Sequence, residues 1–177
     1  MKKSFIMVTL LFVLTALTVS QPGSGRRNVS VIGSVGTAVS DFEGAFFDVG
    51  VEIRTVGNFY LQFLYDYYLN PTGVNVDGVN SSAYGFNLFA VYKFKLSKKL
   101  NLFTKVGANY TTVKASVSSP RVSASNSDFG AGTGAGFEFN LNKNTGILLG
   151  GTAKTIISES GAGIWFKIYC GISFRLR

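Results

Sequence analysis

The chain has 177 residues, of which 46% are apolar, 14% aromatic and only 15% charged, with 21 Gly and 3 Pro. A typical soluble domain carries about 25% charged residues, and disorder needs high charge with few aromatics, so this mixture points to strands joined by turns. The net charge of +8 raises nucleic acid as a partner, but export and the lack of basic runs beyond Arg26-Arg27 and Lys98-Lys99 in the body of the chain argue against it.

The chain has no His and one Cys, Cys170. Ser-His-Asp and Cys-His catalysis, His-based zinc sites and an internal disulfide are thereby excluded. No base stands beside a nucleophile at a recognisable spacing, so no enzymatic activity, catalytic residue, metal site or cofactor is expected.

Met1 to Ser20 reads as a signal peptide: Lys2 and Lys3 form a positive start, and Phe5 to Val19 is an uncharged apolar stretch. That stretch falls short of the roughly 20 residues of a membrane-spanning helix. Thr18-Val19-Ser20 offers small residues for cleavage before Gln21, with no Cys for a lipid anchor. The expected organisation is a signal peptide over residues 1–20 and one domain over residues 21–177.

Beyond Ser20 the recurring signal is period-2 alternation, the mark of a strand. Asn28 to Val39 sets Val29, Val31 and Val35 against Ser30 and Ser34. Ala45 to Thr55 sets Phe47, Val49, Val51 and Ile53 against Asp48, Glu52 and Arg54. From Phe59 to Leu69, Leu61, Phe63, Tyr65 and Tyr67 oppose Gln62 and Asp66. From Tyr84 to Lys95, Phe86, Leu88, Ala90, Tyr92 and Phe94 oppose Asn87, Lys93 and Lys95. Leu100 to Thr112 sets Leu102, Val106, Ala108 and Tyr110 against Asn101, Lys105 and Asn109. Phe129 to Leu141 sets Ala131, Phe137 and Phe139 against Gly130, Gly132, Gly134, Gly136 and Glu138. Gly146 to Ile157 sets Ile147, Leu149 and Ala153 against Thr152 and Lys154. From Ile164 to Leu176, Phe166, Ile168, Cys170, Ile172 and Phe174 oppose Lys167, Ser173 and Arg175. In the six segments other than Asn28–Val39 and Gly146–Ile157, which are less regular, no Asp, Glu, Lys or Arg falls on the apolar face.

These segments run to about eleven residues, the length a tilted strand needs to cross a bilayer. Gly57-Asn58, Ser97 to Lys99 and Asn142 to Asn144 are tight turns. The alternate connections are Ser40–Gly44, Asn70–Ser82, Ala115–Ser127 and Ser158–Ala162, of which Asn70–Ser82 and Ala115–Ser127 are long, polar loops. Short turns on one side and longer loops on the other fit a membrane barrel with its turns and termini in the periplasm. Aromatics cluster at both ends of the apolar faces, as interfacial girdles do.

Alternation alone does not say which face points inward. Gly130, Gly132, Gly134 and Gly136 would weaken a strand whose glycines met water, but on a crowded inner face they make room for long side chains from across a narrow lumen. The polar faces are therefore placed inside and the apolar faces against lipid, where the ring must close because unpaired backbone groups in hydrocarbon are costly. Leu64, Phe89, Val91, Phe103, Leu148 and Trp165 then point inward as fillers, which argues against a water-filled pore. The fold expected is all-β: an eight-stranded antiparallel up-and-down transmembrane β-barrel behind a signal peptide.

The run Gly130-Ala-Gly-Thr-Gly-Ala-Gly-Phe-Glu-Phe-Asn-Leu141, its polar turn and Gly146-Ile-Leu-Leu-Gly150 resemble the outer-membrane β-barrel domain family, with its OmpA-like, OmpX-like and opacity-type barrels. Asn101 to Tyr110 is similar to the family's preceding strand, and the resemblance extends over Asn28–Arg177. It implies residence in the outer membrane of a Gram-negative bacterium, insertion by the outer-membrane assembly machinery, and a monomer in the lipid bilayer. The family's terminal aromatic signal is here either Phe174 or absent, since the sequence reads Phe174-Arg175-Leu176-Arg177. Nothing in the sequence corresponds to a periplasmic peptidoglycan-binding domain.

The inward charges Asp48, Glu52, Arg54, Asp66, Lys93, Lys105, Glu138, Lys167 and Arg175 form the candidate lumen network. An ion-pair filling is expected, with Glu138 paired to Lys105, because buried charges need partners. Cys170 is read as a small apolar residue on the lipid face, and Asn70–Ser82 lacks the spacing of a Ca²⁺ loop. The function expected is a structural or surface-interaction barrel acting through its outer loops; the alternative is a narrow, porin-like channel for ions or small solutes. The sequence identifies no extracellular ligand.

Overall fold

The computed structural model describes residues 29–40, 43–72, 79–118, 121–158 and 161–176. The expected signal peptide lies outside the described residues. Eight strands follow in order: β1 Val29–Ser40, β2 Glu43–Arg54, β3 Phe59–Thr72, β4 Val79–Lys95, β5 Leu100–Ser118, β6 Arg121–Asn140, β7 Thr145–Ser158 and β8 Gly161–Arg175. Each pairs antiparallel with its neighbours, and β8 pairs with β1 through Val31↔Phe174 and Val35↔Cys170, closing the barrel.

Three turns form one rim, each fixed by its own residues. Gly57 takes a positive φ of 59° and its carbonyl accepts from Arg54 Nε at 2.6 Å. Ser97 Oγ accepts from the amides of Lys99 and Leu100 at 3.2 and 3.1 Å. Asn142 Oδ1 accepts from those of Asn144 and Thr145, both at 2.8 Å. Such side-chain acceptors satisfy amides that a tight reversal leaves unpaired.

The far rim departs from expectation. Ala115–Ser127 is not a loop: β5 runs to Ser118 and β6 starts at Arg121, paired continuously from Leu100↔Phe139 to Ser118↔Arg121. Asn70–Ser82 is likewise shortened, since β3 reaches Thr72 and β4 begins at Val79. Strands β4, β5 and β6 have 17, 19 and 20 residues against 12 in β1 and β2, so one wall stands above the rest of the barrel. On the far side of that wall β6 pairs with β7 only from Phe129 onward among the described residues, and Arg121–Asp128 has no strand partner there among them. The strands extend through Ala115–Ser127 because Ser alternates there with Val and Ala, a strand period written in small residues.

The apolar faces point out. Val106, Phe129 and Ile168 are 61%, 66% and 62% exposed. Ile53 is the exception, buried on the outer face but outside the core cluster. The core sits in the lumen: Leu64, Phe89, Val91, Phe103, Leu148 and Trp165 are all buried, joined by Ile32, Phe46, Tyr68 and Tyr169. The glycine row of β6 does make room for large side chains, but they come from β5 beside it and from β4, not from across the lumen as expected. A Cβ on Gly132 would stand 3.0 Å from the Phe89 ring, one on Gly134 3.0 Å from Lys105 Cε, and one on Gly136 2.6 Å from the Phe103 ring.

Candidate functional site

The lumen holds two groups of ion pairs, stacked along the barrel axis by strand register. The group nearer the turn rim centres on Glu138, which lies opposite Asn101 on β5. Lys93 Nζ bridges Glu52 Oε1 at 2.5 Å and Glu138 Oε2 at 3.0 Å. Arg175 Nη2 reaches Glu138 Oε1 at 3.0 Å and also donates to Asn140 Oδ1. Ser173 Oγ at 3.0 Å, Asn101 Nδ2 at 3.3 Å and, on Glu52, Gln62 Nε2 at 3.4 Å complete the shell.

The second group lies higher. Asp48 and Asp66 are direct partners across β2 and β3, an arrangement that would repel without cations. Lys167 Nζ stands 2.7 Å from Asp48 Oδ1 and 3.0 Å from Asp66 Oδ2, bridging the two carboxylates. Lys154 Nζ donates to the same Asp66 oxygen and to Asn87 Oδ1. Ser34 Oγ adds a bond to Asp48 at 3.1 Å, and a chain from Trp165 Nε1 to Tyr68 OH to Asp66 ties the group to the apolar core. The Lys167 ammonium also sits 3.9 Å from the centroid of Phe46. Asp66, Glu138, Lys154 and Lys167 are each at most 2% exposed. Charges so placed are tolerable only when every one has partners.

Two of the sequence-named residues stand apart. Lys105 does not pair with Glu138. The register sets Lys105 opposite Gly134 and Glu138 four residues further along β6, about 14 Å at the strand rise. Lys105 instead lies between the rings of Phe89 and Tyr169, 4.8 Å from each centroid. Arg54 serves the Gly57 turn and makes no ion pair among the described residues. Asp48, Glu52, Asp66, Lys93, Glu138, Lys167 and Arg175 are brought together in the two groups. Lys154 belongs with them, and its place on the inner face beside Thr152 was the signal for it. Between the groups is a void of about 10 Å³, lined by Ile32, Asp48, Glu52, Lys105 and Tyr169 among others, room for about one water. Among the described residues no cluster of His, Cys, Asp or Glu is suited to hold a metal.

Outside, aromatic pairs ring the wall at two heights. Phe59–Tyr92 and Tyr92–Phe94, with centroids 4.6 and 4.5 Å apart, lie near the turns, and Tyr65–Phe86 and Tyr110–Phe129, at 5.3 and 4.8 Å, lie toward the far rim. Cys170 is a free, exposed thiol on this outer wall.

A closed ring of strands with greasy residues outside and buried ions within defines an integral membrane β-barrel. The profile of the outer membrane protein β-barrel domain matches residues 8–168, and the chain belongs to that family. It is a bacterial outer-membrane protein, embedded in the lipid bilayer there. Among solved structures it is similar to Neisserial surface protein A, at 12% identity and a TM-score of 0.67 over 84% of this chain and 96% of that one. The N-terminal barrel of Pseudomonas aeruginosa OprF is similar at 15% identity and a TM-score of 0.65, over 85% and 98% of the two chains. Ail of Yersinia pestis, in complex with the heparin analogue sucrose octasulfate, is similar at 16% identity and a TM-score of 0.53, over 84% and 100%. No curated protein matches the sequence.

Proposed function

We propose that the protein is a monomeric surface-interaction barrel, inserted by the outer-membrane assembly machinery after removal of residues 1–20. Its lumen is a structural plug, and its working part is the wall of β4–β6 facing the outside. The observation that carries this reading is the wall itself, with β5 and β6 paired out to Ser118↔Arg121 and the edge of Arg121–Asp128 unpaired on its other side among the described residues. An open edge can add an extended strand from another chain through main-chain hydrogen bonds. Ion pairs buried on both partners, with a void of about one water between them, leave no room for a hydrated ion. Neither enzymatic chemistry nor a cofactor is part of this reading.

Planar-bilayer recording of the refolded protein separates it from the porin-like alternative: no steady conductance is expected, and single-channel steps would favour the channel. Labelling a cysteine placed at Ser125, in a Cys170→Ala background, with a membrane-impermeant maleimide on intact cells tests the orientation. Rapid labelling is expected; protection until the outer membrane is opened would reverse the barrel and remove the proposal.

A further inference from the structure

The outer wall also carries a groove that the surface-interaction reading does not use. Lateral rows of outward residues can be read from the registers. One row is Val51–Phe63–Leu88–Ala108–Ala131, and above it lies Val49–Tyr65–Phe86–Tyr110–Phe129. Where the lower row shrinks to Ala108 while the row above stays aromatic, the wall is hollowed. The hollow has about 460 Å³ and is lined almost wholly by apolar groups, including Val51, Phe63, Tyr65, Leu88, Ala108 and Phe129.

Two rows above the aromatic one comes Ser82–Lys114–Ser125, after a row in which the Thr112 and Ser127 hydroxyls meet at 2.8 Å. Lys114 Nζ stands 5.2 Å from the ring of Tyr84, whose ring stacks at 6.4 Å on Tyr65 of the groove. Lys114 has no carboxylate partner among the described residues. From Ala108 to Lys114 the strand rises about 20 Å, which a tilt of about 40° reduces to about 15 Å along the membrane normal, half the hydrocarbon thickness. A cation and two serine hydroxyls thus sit one leaflet's depth above an apolar hollow.

We propose that this wall seats one phosphate-bearing lipid, its acyl chain in the groove of β2–β5 and its phosphate on Lys114 between Ser82 and Ser125. The proposal rests on bilayer embedding and not on the surface-interaction reading. The test uses the full barrel refolded in neutral phosphatidylcholine with a minor fraction of phosphatidic acid, and counts lipids retained after release into the gas phase by native mass spectrometry. One phosphatidic acid is expected per barrel. Lys114→Gln should reduce its occupancy about fivefold, the factor one lysine supplies at an anionic surface. Lys114→Arg should retain it, and Ala108→Phe, which fills the groove at a lipid-facing position, should lose it. Heat-modifiable gel mobility confirms that each variant folds, and Val51→Phe, at another lining residue of the groove, serves if Ala108→Phe does not. Diacylglycerol should be retained far less than phosphatidic acid, and inorganic phosphate should not displace the lipid. Equal retention by Lys114→Gln, equal retention of diacylglycerol, or displacement by inorganic phosphate would each overturn the assignment.

Discussion

Strands β4, β5 and β6 carry two opposite polarities along their length. Below the row Phe86–Tyr110–Phe129, Leu88, Val106, Ala131 and Phe137 face out while Lys93, Lys105 and Glu138 are buried inside. Above it, Ser82, Lys114 and Ser125 face out, while Ala83 is fully buried and Val113 packs on the lumen core. Backbone geometry is the same in both halves, and so is the period. What changes is the solvent outside: hydrocarbon excludes charge from the lower outer face, and water allows hydroxyls and a lysine on the upper one. The row at which the polarity flips marks the upper edge of the apolar band, and the tyrosines there sit where one end of a side chain is wet.

The largest effect should come from the higher of the two ion-pair groups in the lumen. Asp66→Ala removes the carboxylate shared by Lys154 and Lys167, and a cost of about 3–5 kcal/mol is expected for the stranded buried charge. Urea unfolding in lipid vesicles, followed by the fluorescence of the single Trp165, measures it. Next is the lower outer face, where Val106→Lys should cost about 2–4 kcal/mol if it lies near the bilayer midplane. The same charge at Ser125, above the flip, should change stability by less than about 1 kcal/mol, and a comparable loss there would erase the contrast. Gly134→Ala places a methyl 3.0 Å from Lys105 Cε and 2.4 Å from the Gly151 carbonyl. Overpacking of that kind should cost about 1–3 kcal/mol. Smallest, Lys105→Met should be neutral or stabilising, because its ammonium packs against two rings and makes no ion pair with a carboxylate among the described residues.

The lower half was legible in the sequence because one physical demand, no charge against lipid, acts on every second residue. That demand exposed the eight strands, the direction of their faces, the inward Phe89, Phe103 and Trp165, and the crowding over the β6 glycines, though not that the crowding side chains come from β5 and β4. The upper wall was not legible for the same reason. Ala115–Ser127 alternates Ser with Val and Ala, and such a segment resembles a polar loop when strands are sought by their greasy face. Pairing inside the lumen was only half visible. Alternation put Glu138, Lys93, Asp48 and Lys167 on one surface, but partners are chosen by register and by reach across the barrel. Lys167 meets Asp48 from 119 residues away, while Lys105, on the strand beside Glu138, is displaced along it by four residues.

Cys170 offers the most direct measurement, since it is an exposed native thiol on the lower outer wall, flanked by Val35 and Leu149. A nitroxide attached there, in barrels refolded into vesicles, should collide often with oxygen and rarely with a polar nickel chelate. The same label at Ser125→Cys in a Cys170→Ala background should show the reverse. Ready collision of the Cys170 nitroxide with the nickel chelate would mean that water, not hydrocarbon, covers the uncharged faces, and the account of this fold would be wrong.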